Sequence, residues 1–82
     1  MWHVYMLVCK DGTLYIGSTT DLERRVREHN EGSLGAKYTR ARRPVSLAYS
    51  RRFKNRANAQ KEEARIKKLP RKEKLSLIRN HS

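Results

Sequence analysis

Along the first segment of the chain Val4, Met6 and Val8 interleave with Tyr5, Leu7 and Cys9, and after a short break Leu14 and Ile16 interleave with Tyr15 and Gly17. Alternation of this kind marks half-buried strands, and the intervening Lys10-Asp11-Gly12 is a turn signal, so the pair reads as a β-hairpin. Its register can be argued as well. A two-residue loop of Asp11 and Gly12 would place Tyr15 on the same side as Val8. A loop of about three residues with Gly12 in the left-handed region instead gathers Val4, Met6, Val8, Leu14 and Ile16 on one aliphatic face. That register is the better core. It sets Tyr5 opposite Gly17 and leaves Tyr5, Leu7, Tyr15 and Gly17 on the other face.

The period then changes. Leu22, Arg25, Val26 and His29 recur at helical spacing, forming one stripe, while Glu23, Arg24, Arg27 and Glu28 point elsewhere. Thr20-Asp21-Leu22-Glu23 fits a capping box, which predicts Thr20 as N-cap, Glu23 reaching back, and a helix ending near Gly32. Gly32 to Pro44 reads as a basic loop with a short helix. Val45, Leu47 and Tyr49 alternate with Ser46, Ala48 and Ser50 and predict a third strand. A helix over about 55–69 follows, stopped by Pro70, which can occupy the first turn of a last short helix bearing Leu75, Leu77 and Ile78. The predicted order is ββαβαα: a single α/β domain over residues 1–82, with a small three-stranded sheet flanked by helices. No repeat or linker interrupts it.

Charge changes the picture more than hydropathy does. The 82 residues include 20 Lys and Arg against 8 Asp and Glu, a net charge of +12. Nearly all of the excess lies beyond residue 41, so the second half carries the field that attracts a polyanion. The longest apolar run, Val4 to Cys9, is too short for a membrane helix and has no basic residue before it, which predicts a soluble, cytoplasmic chain with no membrane partner. Cys9 is the only cysteine, so neither an internal disulfide nor a thiolate zinc site can form within one chain.

Arg25 is the residue hardest to account for by packing alone. A guanidinium cannot give up its proton, so among apolar neighbours it costs several kcal/mol unless an anionic substrate or a buried carboxylate meets it. Tyr5 and Tyr15 can serve simply as strand formers, and His29 as a packed, hydrogen-bonded histidine. Glu62 and Glu63 stand among Lys61, Arg65, Lys67 and Lys68, where solvated ion pairing is the ordinary role. With Ala59, Ile66 and Leu69 defining the apolar face, Glu62 falls inside it and Glu63 at its edge, so periodicity leaves the choice between them open. Lys37, Arg40, Arg42 and Arg43, followed by Arg51, Arg52, Lys54 and Arg56, suit phosphate contacts that position a nucleic acid without reading its sequence.

Taken in order, Val4-Tyr5, Tyr15-Ile16-Gly17, Arg25 and His29 in the next helix, and a glutamate in a later helix resemble the GIY-YIG nuclease family, and in particular its small standalone members. Gly-Ala-Lys-Tyr-Thr-Arg at residues 35–40, Pro44-Val45 at the third strand and Ile66-Lys67-Lys68-Leu69 at a helix end add to the likeness. The resemblance implies an α/β sandwich and a divalent-metal phosphodiesterase site holding one Mg²⁺ or Mn²⁺. By position, Tyr5 and Tyr15 match the two motif tyrosines, Gly17 the motif glycine, Arg25 the helix arginine and His29 the residue four further on. The family's metal-binding glutamate precedes an apolar-Lys pair by three residues, which selects Glu63. His3 stands where the family name has glycine, and the downstream asparagine of many members has no secure match here, Asn80 being a weak candidate.

Phosphodiester hydrolysis needs an activated water, neutralised phosphate oxygens and a stabilised leaving oxygen. On this resemblance Glu63 holds the ion and Arg25 braces the phosphorus. Tyr5 is the general base, its phenol pKa lowered by positive neighbours, and Tyr15 and His29 orient water or phosphate. The implied partner is nucleic acid, DNA before RNA, with a further protein supplying specificity that so small a chain lacks. The competing readings are a non-cleaving nucleic-acid-binding module and an accessory nuclease subunit of a larger complex.

Overall fold

The computed structural model describes residues 1–32, 39 and 41–80. Its elements are β1 (Trp2–Val8), β2 (Leu14–Thr19), α1 (Leu22–Glu31), β3 (Ser46–Phe53), α2 (Arg56–Lys67) and α3 (Arg71–Asn80), the predicted ββαβαα order. The short helix expected between Gly32 and Pro44 lies almost wholly outside the described residues. The sheet is antiparallel with order β2-β1-β3, so β1 is central and β2 and β3 are its edges. Among the described residues no helix is long and apolar enough to cross a membrane.

The hairpin takes the register that the aliphatic face demands. Tyr5 pairs with Gly17 and Met6 with Ile16, and Gly12 closes the turn at φ +86°, a backbone region that costs any residue with a Cβ. Each face of the sheet then carries its own core. Val4, Met6, Ile16 and Tyr49 pack with Ala59 and Ile66 of α2 and with Leu77 and Ile78 of α3. On the opposite face Tyr5, Leu7, Cys9 and Val45 meet Leu22 and Val26 of α1.

Four local details depart from expectation. Asp21, not Thr20, caps α1, its carboxylate accepting from the Arg24 N–H at 3.1 Å. An anion there also meets the positive end of the helix dipole, which a threonine hydroxyl cannot. Glu28, expected to point away from the sheet, lies half-buried and accepts from Arg25 Nη1 at 3.0 Å. In β3 the alternation breaks, because the register shifts between the pairs Met6–Tyr49 and Leu7–Leu47. This bulge turns Tyr49 onto the α2 face while Val45, just ahead of the strand, stays on the α1 face, so the segment feeds both cores. Pro70 lies just ahead of α3 and its carbonyl accepts from the Glu73 and Lys74 N–H groups at 3.0 and 3.1 Å, an entry cap in place of a first-turn residue.

Two polar devices fix α1 against the start of β3. The Asn30 side chain exchanges both hydrogen bonds with the Val45 backbone, at 3.0 and 2.7 Å. Arg43 donates Nε to the His29 carbonyl at 2.5 Å and Nη2 to the Gly32 carbonyl at 2.6 Å. The last carbonyls of a helix have no partner inside it, and a guanidinium fork supplies several donors at once. Arg43, expected to contact phosphate, is thus engaged by its own chain.

Candidate active site

Tyr5 sits in the central strand with its ring on the α1 face, 1 % exposed. Its phenol extends sideways across β2, and only a glycine permits this. A Cβ on Gly17 would stand 2.6 Å from the Tyr5 oxygen and 3.2 Å from Cε1 of Tyr15. Tyr15, on the same face, lies 6.4 Å from the Tyr5 ring and 4.9 Å from the His29 ring between centroids. His29, on the inward stripe of α1 and fully buried, closes the group. Its Nε2 is 3.0 Å from the Tyr5 oxygen and its Nδ1 is 2.8 Å from Oγ1 of Thr39. Arg25 lies one turn earlier on that stripe, its guanidinium near enough to the Tyr5 oxygen to act on the phenol.

The electrostatics differ from the sequence expectation at one point. Burial pushes the Tyr5 phenol up to about 12, more than the Arg25 guanidinium pulls it down, and the Glu63 carboxylate pushes the same way. A positive neighbour was expected to win; desolvation outweighs it. For His29, burial and then the Arg25 charge push the imidazole down to about 4, so the ring is neutral at pH 7.

The two glutamates part company on α2. Ser18, Val4 and Arg51 form one row across the three strands, all facing α2. Glu62 turns toward the β3 end of that row: it takes a two-pronged bond from Arg65 at 2.7 Å and lies 3.6 Å from Arg51. Glu63 turns toward the β2 end, accepting from Ser18 Oγ at 2.8 Å and pairing with Lys67 at 2.8 Å. Consecutive helical residues diverge by about 100°, and a helix lying across a narrow sheet sends them to opposite edges. Glu63 therefore approaches edge strand β2 from one face while Tyr5 crosses Gly17 of the same strand on the other. Glu63 also borders a surface hollow of about 260 Å³ with Gln60, Ala64 and Lys67.

Among the described residues no three His, Cys, Asp or Glu converge to make a closed metal site. One carboxylate beside a hydroxyl is a hard-oxygen pair, which suits Mg²⁺ or Mn²⁺, ions that keep several waters and share the rest of their shell with a phosphate. Glu63 and Ser18 are the residues that would hold it.

Of the residues expected at a site, the structure brings Tyr5, Tyr15, Gly17, Arg25 and His29 into one group and sets Glu63 across the strand from it. Arg42 lies apart, its Nε 3.1 Å from Asp11. Lys37 and Arg40 lie outside the described residues. Asn80, at the far end of α3, donates to Ser76 at 3.4 Å. Thr39 and Ser18 were not expected at a site. Ser18 had a signal, as a polar residue in the aliphatic row of β2; the likeness at residues 35–40 spans Thr39 but singles out none of its members.

The fold is a three-stranded antiparallel sheet with helices on both faces and the Tyr5 and Tyr15 side chains together at β2, and the chain belongs to the GIY-YIG family, a nuclease-like class: the GIY-YIG catalytic domain matches residues 1–76. A UPF0213 protein of Halobacterium salinarum is 52 % identical over 78 residues, covering 95 % of this chain and all of that one. A UPF0213 protein of Clostridium perfringens is 52 % identical over 82 residues, covering the whole chain and 87 % of the relative. The solution NMR structure of a UPF0213 protein from Bacillus halodurans superimposes with a TM-score of 0.60 at 42 % identity, covering 95 % of this chain and 83 % of that one.

Proposed function

We propose that the protein is a metal-dependent endonuclease that hydrolyses phosphodiester bonds of nucleic acid, DNA before RNA, with Tyr5, Tyr15, Arg25, His29 and Glu63 as its catalytic residues. The observation that carries the reading is the meeting at β2 of a buried Tyr5–His29–Arg25 group and, across the strand, a glutamate held by Ser18. Arg25 has donors for the non-bridging oxygens of a bound phosphate. Tyr5 rests as a phenol, so it can take a proton from the attacking water only as its own proton passes to His29 Nε2. A phosphate on Arg25 favours that transfer, because it cancels one of the positive charges that hold His29 neutral. The water oxygen then bonds to phosphorus and the ester P–O bond breaks. The leaving oxygen takes a proton from solvent, and His29 returns its proton to solvent. A divalent ion on Glu63 would supply neutralisation of the departing oxyanion.

The test is purified protein with Mg²⁺ or Mn²⁺ on labelled single-stranded, duplex, flap and junction substrates. Glu63→Gln is expected to abolish cleavage while leaving nucleic-acid binding nearly unchanged. Glu62→Gln, whose carboxylate serves Arg65 and Arg51, is expected to keep it. A dead Glu62→Gln beside an active Glu63→Gln would overturn the assignment. Wild-type protein inert on every substrate would leave the non-cleaving binding module as the better reading.

A further inference from the structure

The hydrogen bonds around His29 have a direction that the distances alone do not state. Arginine carries donors only, so the neighbouring Arg25 guanidinium favours lone pairs of the Tyr5 oxygen on its side. The phenol's own hydrogen then needs an acceptor, and in the free protein Tyr5 is 1 % exposed. An unspent buried O–H costs about 1–3 kcal/mol. His29 Nε2, at 3.0 Å, is the acceptor in reach. A neutral imidazole has one accepting nitrogen and one N–H, so if Nε2 accepts, the hydrogen sits on Nδ1. Nδ1 faces Thr39 Oγ1 at 2.8 Å, and Thr39 is itself fully buried.

We propose that Thr39 is a positioning residue: its hydroxyl oxygen accepts the Nδ1–H of His29, which holds the ring in the tautomer whose Nε2 can take the Tyr5 proton. This deepens the hydrolytic reading above and rests on it. With the tautomer reversed, Nε2–H would point at the Tyr5 oxygen and the phenol could pass its hydrogen nowhere. A hydroxyl suits the role because it accepts from the imidazole and still has its own hydrogen to place elsewhere. Thr39 touches neither phosphate nor ion; it acts through His29, as second partners of functional histidines commonly do.

The experiment is ¹⁵N-detected NMR of the His29 ring at neutral pH, without nucleic acid, in wild type, Thr39→Val and Thr39→Ser, together with cleavage kinetics. Wild type and Thr39→Ser should show a protonated Nδ1 and a bare Nε2. Thr39→Val, close in shape to threonine but with no acceptor, should lose that preference. Its kcat should fall by about tenfold or more with KM little changed, and Thr39→Ser should restore most of it. A wild-type ring protonated at Nε2 overturns the proposal, as does a Thr39→Val ring that keeps the wild-type tautomer. A ring protonated at Nδ1 in a protein that cleaves nothing upholds the hydrogen-bond assignment and removes the hydrolytic reading instead, so the two failures are distinguishable.

Discussion

His29 answers to two demands at once, since the burial that aims it at Tyr5 also forbids it a charge. The unfolded imidazole titrates near 6.5 and the folded one at about 4. Between those values the unfolded chain binds the extra proton, so acid favours unfolding through that window and no further loss from this group accrues below it. From pH 7 to 4.5 this is worth roughly 2 kcal/mol. Urea unfolding at the two pH values should show wild type losing that much more stability than His29→Gln, whose side chain does not titrate. Equal losses in the two proteins would mean that His29 is not buried neutral. Gly17 belongs to the same scale, because its missing Cβ is the space that the Tyr5 phenol occupies.

At the scale of elements, α1 is held as much at its carboxyl end as by its apolar stripe. Leu22 and Val26 supply packing, but Arg43 closes the last carbonyls and Asn30 ties the final turn to β3. Arg43→Ala removes half-buried donors and leaves the His29 and Gly32 carbonyls short of partners, an expected loss of about 1–3 kcal/mol. Arg42→Ala removes a largely exposed pair with Asp11 and should cost under about 1 kcal/mol. Thermal or urea melts of the two variants measure the difference, and equal melts would refute the structural role given to Arg43. Bound nucleic acid should accordingly draw on Arg43 little. The β3 bulge acts at this scale too: by turning Tyr49 to α2 and keeping Val45 with α1, it lets a three-stranded sheet support a core on each face.

For the whole molecule the dominant quantity is the net charge of +12. Arg52 and Lys54 are exposed at the end of β3, well placed to meet phosphate. Each phosphate contact steepens the fall of log affinity with log salt by about 0.9 on duplex DNA. Replacing Arg52 and Lys54 by alanine should therefore weaken binding to all sequences alike and flatten the slope by about 2. A loss confined to one sequence would mean that these residues read bases; an unchanged slope would place the interface on another face.

Local pattern by itself determined the hairpin, its register and the helix stripes, because strand and helix periods decide which side chains share a face before any partner arrives. Tyr5 beside Tyr15 on one face, Gly17 opposite Tyr5, and Arg25 with His29 on the inward side of α1 were all legible in that way. Pattern could not tell which edge of the sheet each glutamate would reach, since Glu62 and Glu63 straddle the apolar boundary of α2. Their fates depend on how that helix lies over the row from Ser18 to Arg51. Nor could it find that Arg43 would serve a helix end, that Glu28 would fold inward to Arg25, or that Thr39 would meet His29. Each of these is a contact between segments distant in sequence or a rotamer choice within a turn, and geometry of that kind exists only once the two faces of the sheet have closed. The height of the Tyr5 pKa has the same origin, because composition shows which charges a phenol has near it, whereas the loss of water around it is a property of the packed fold.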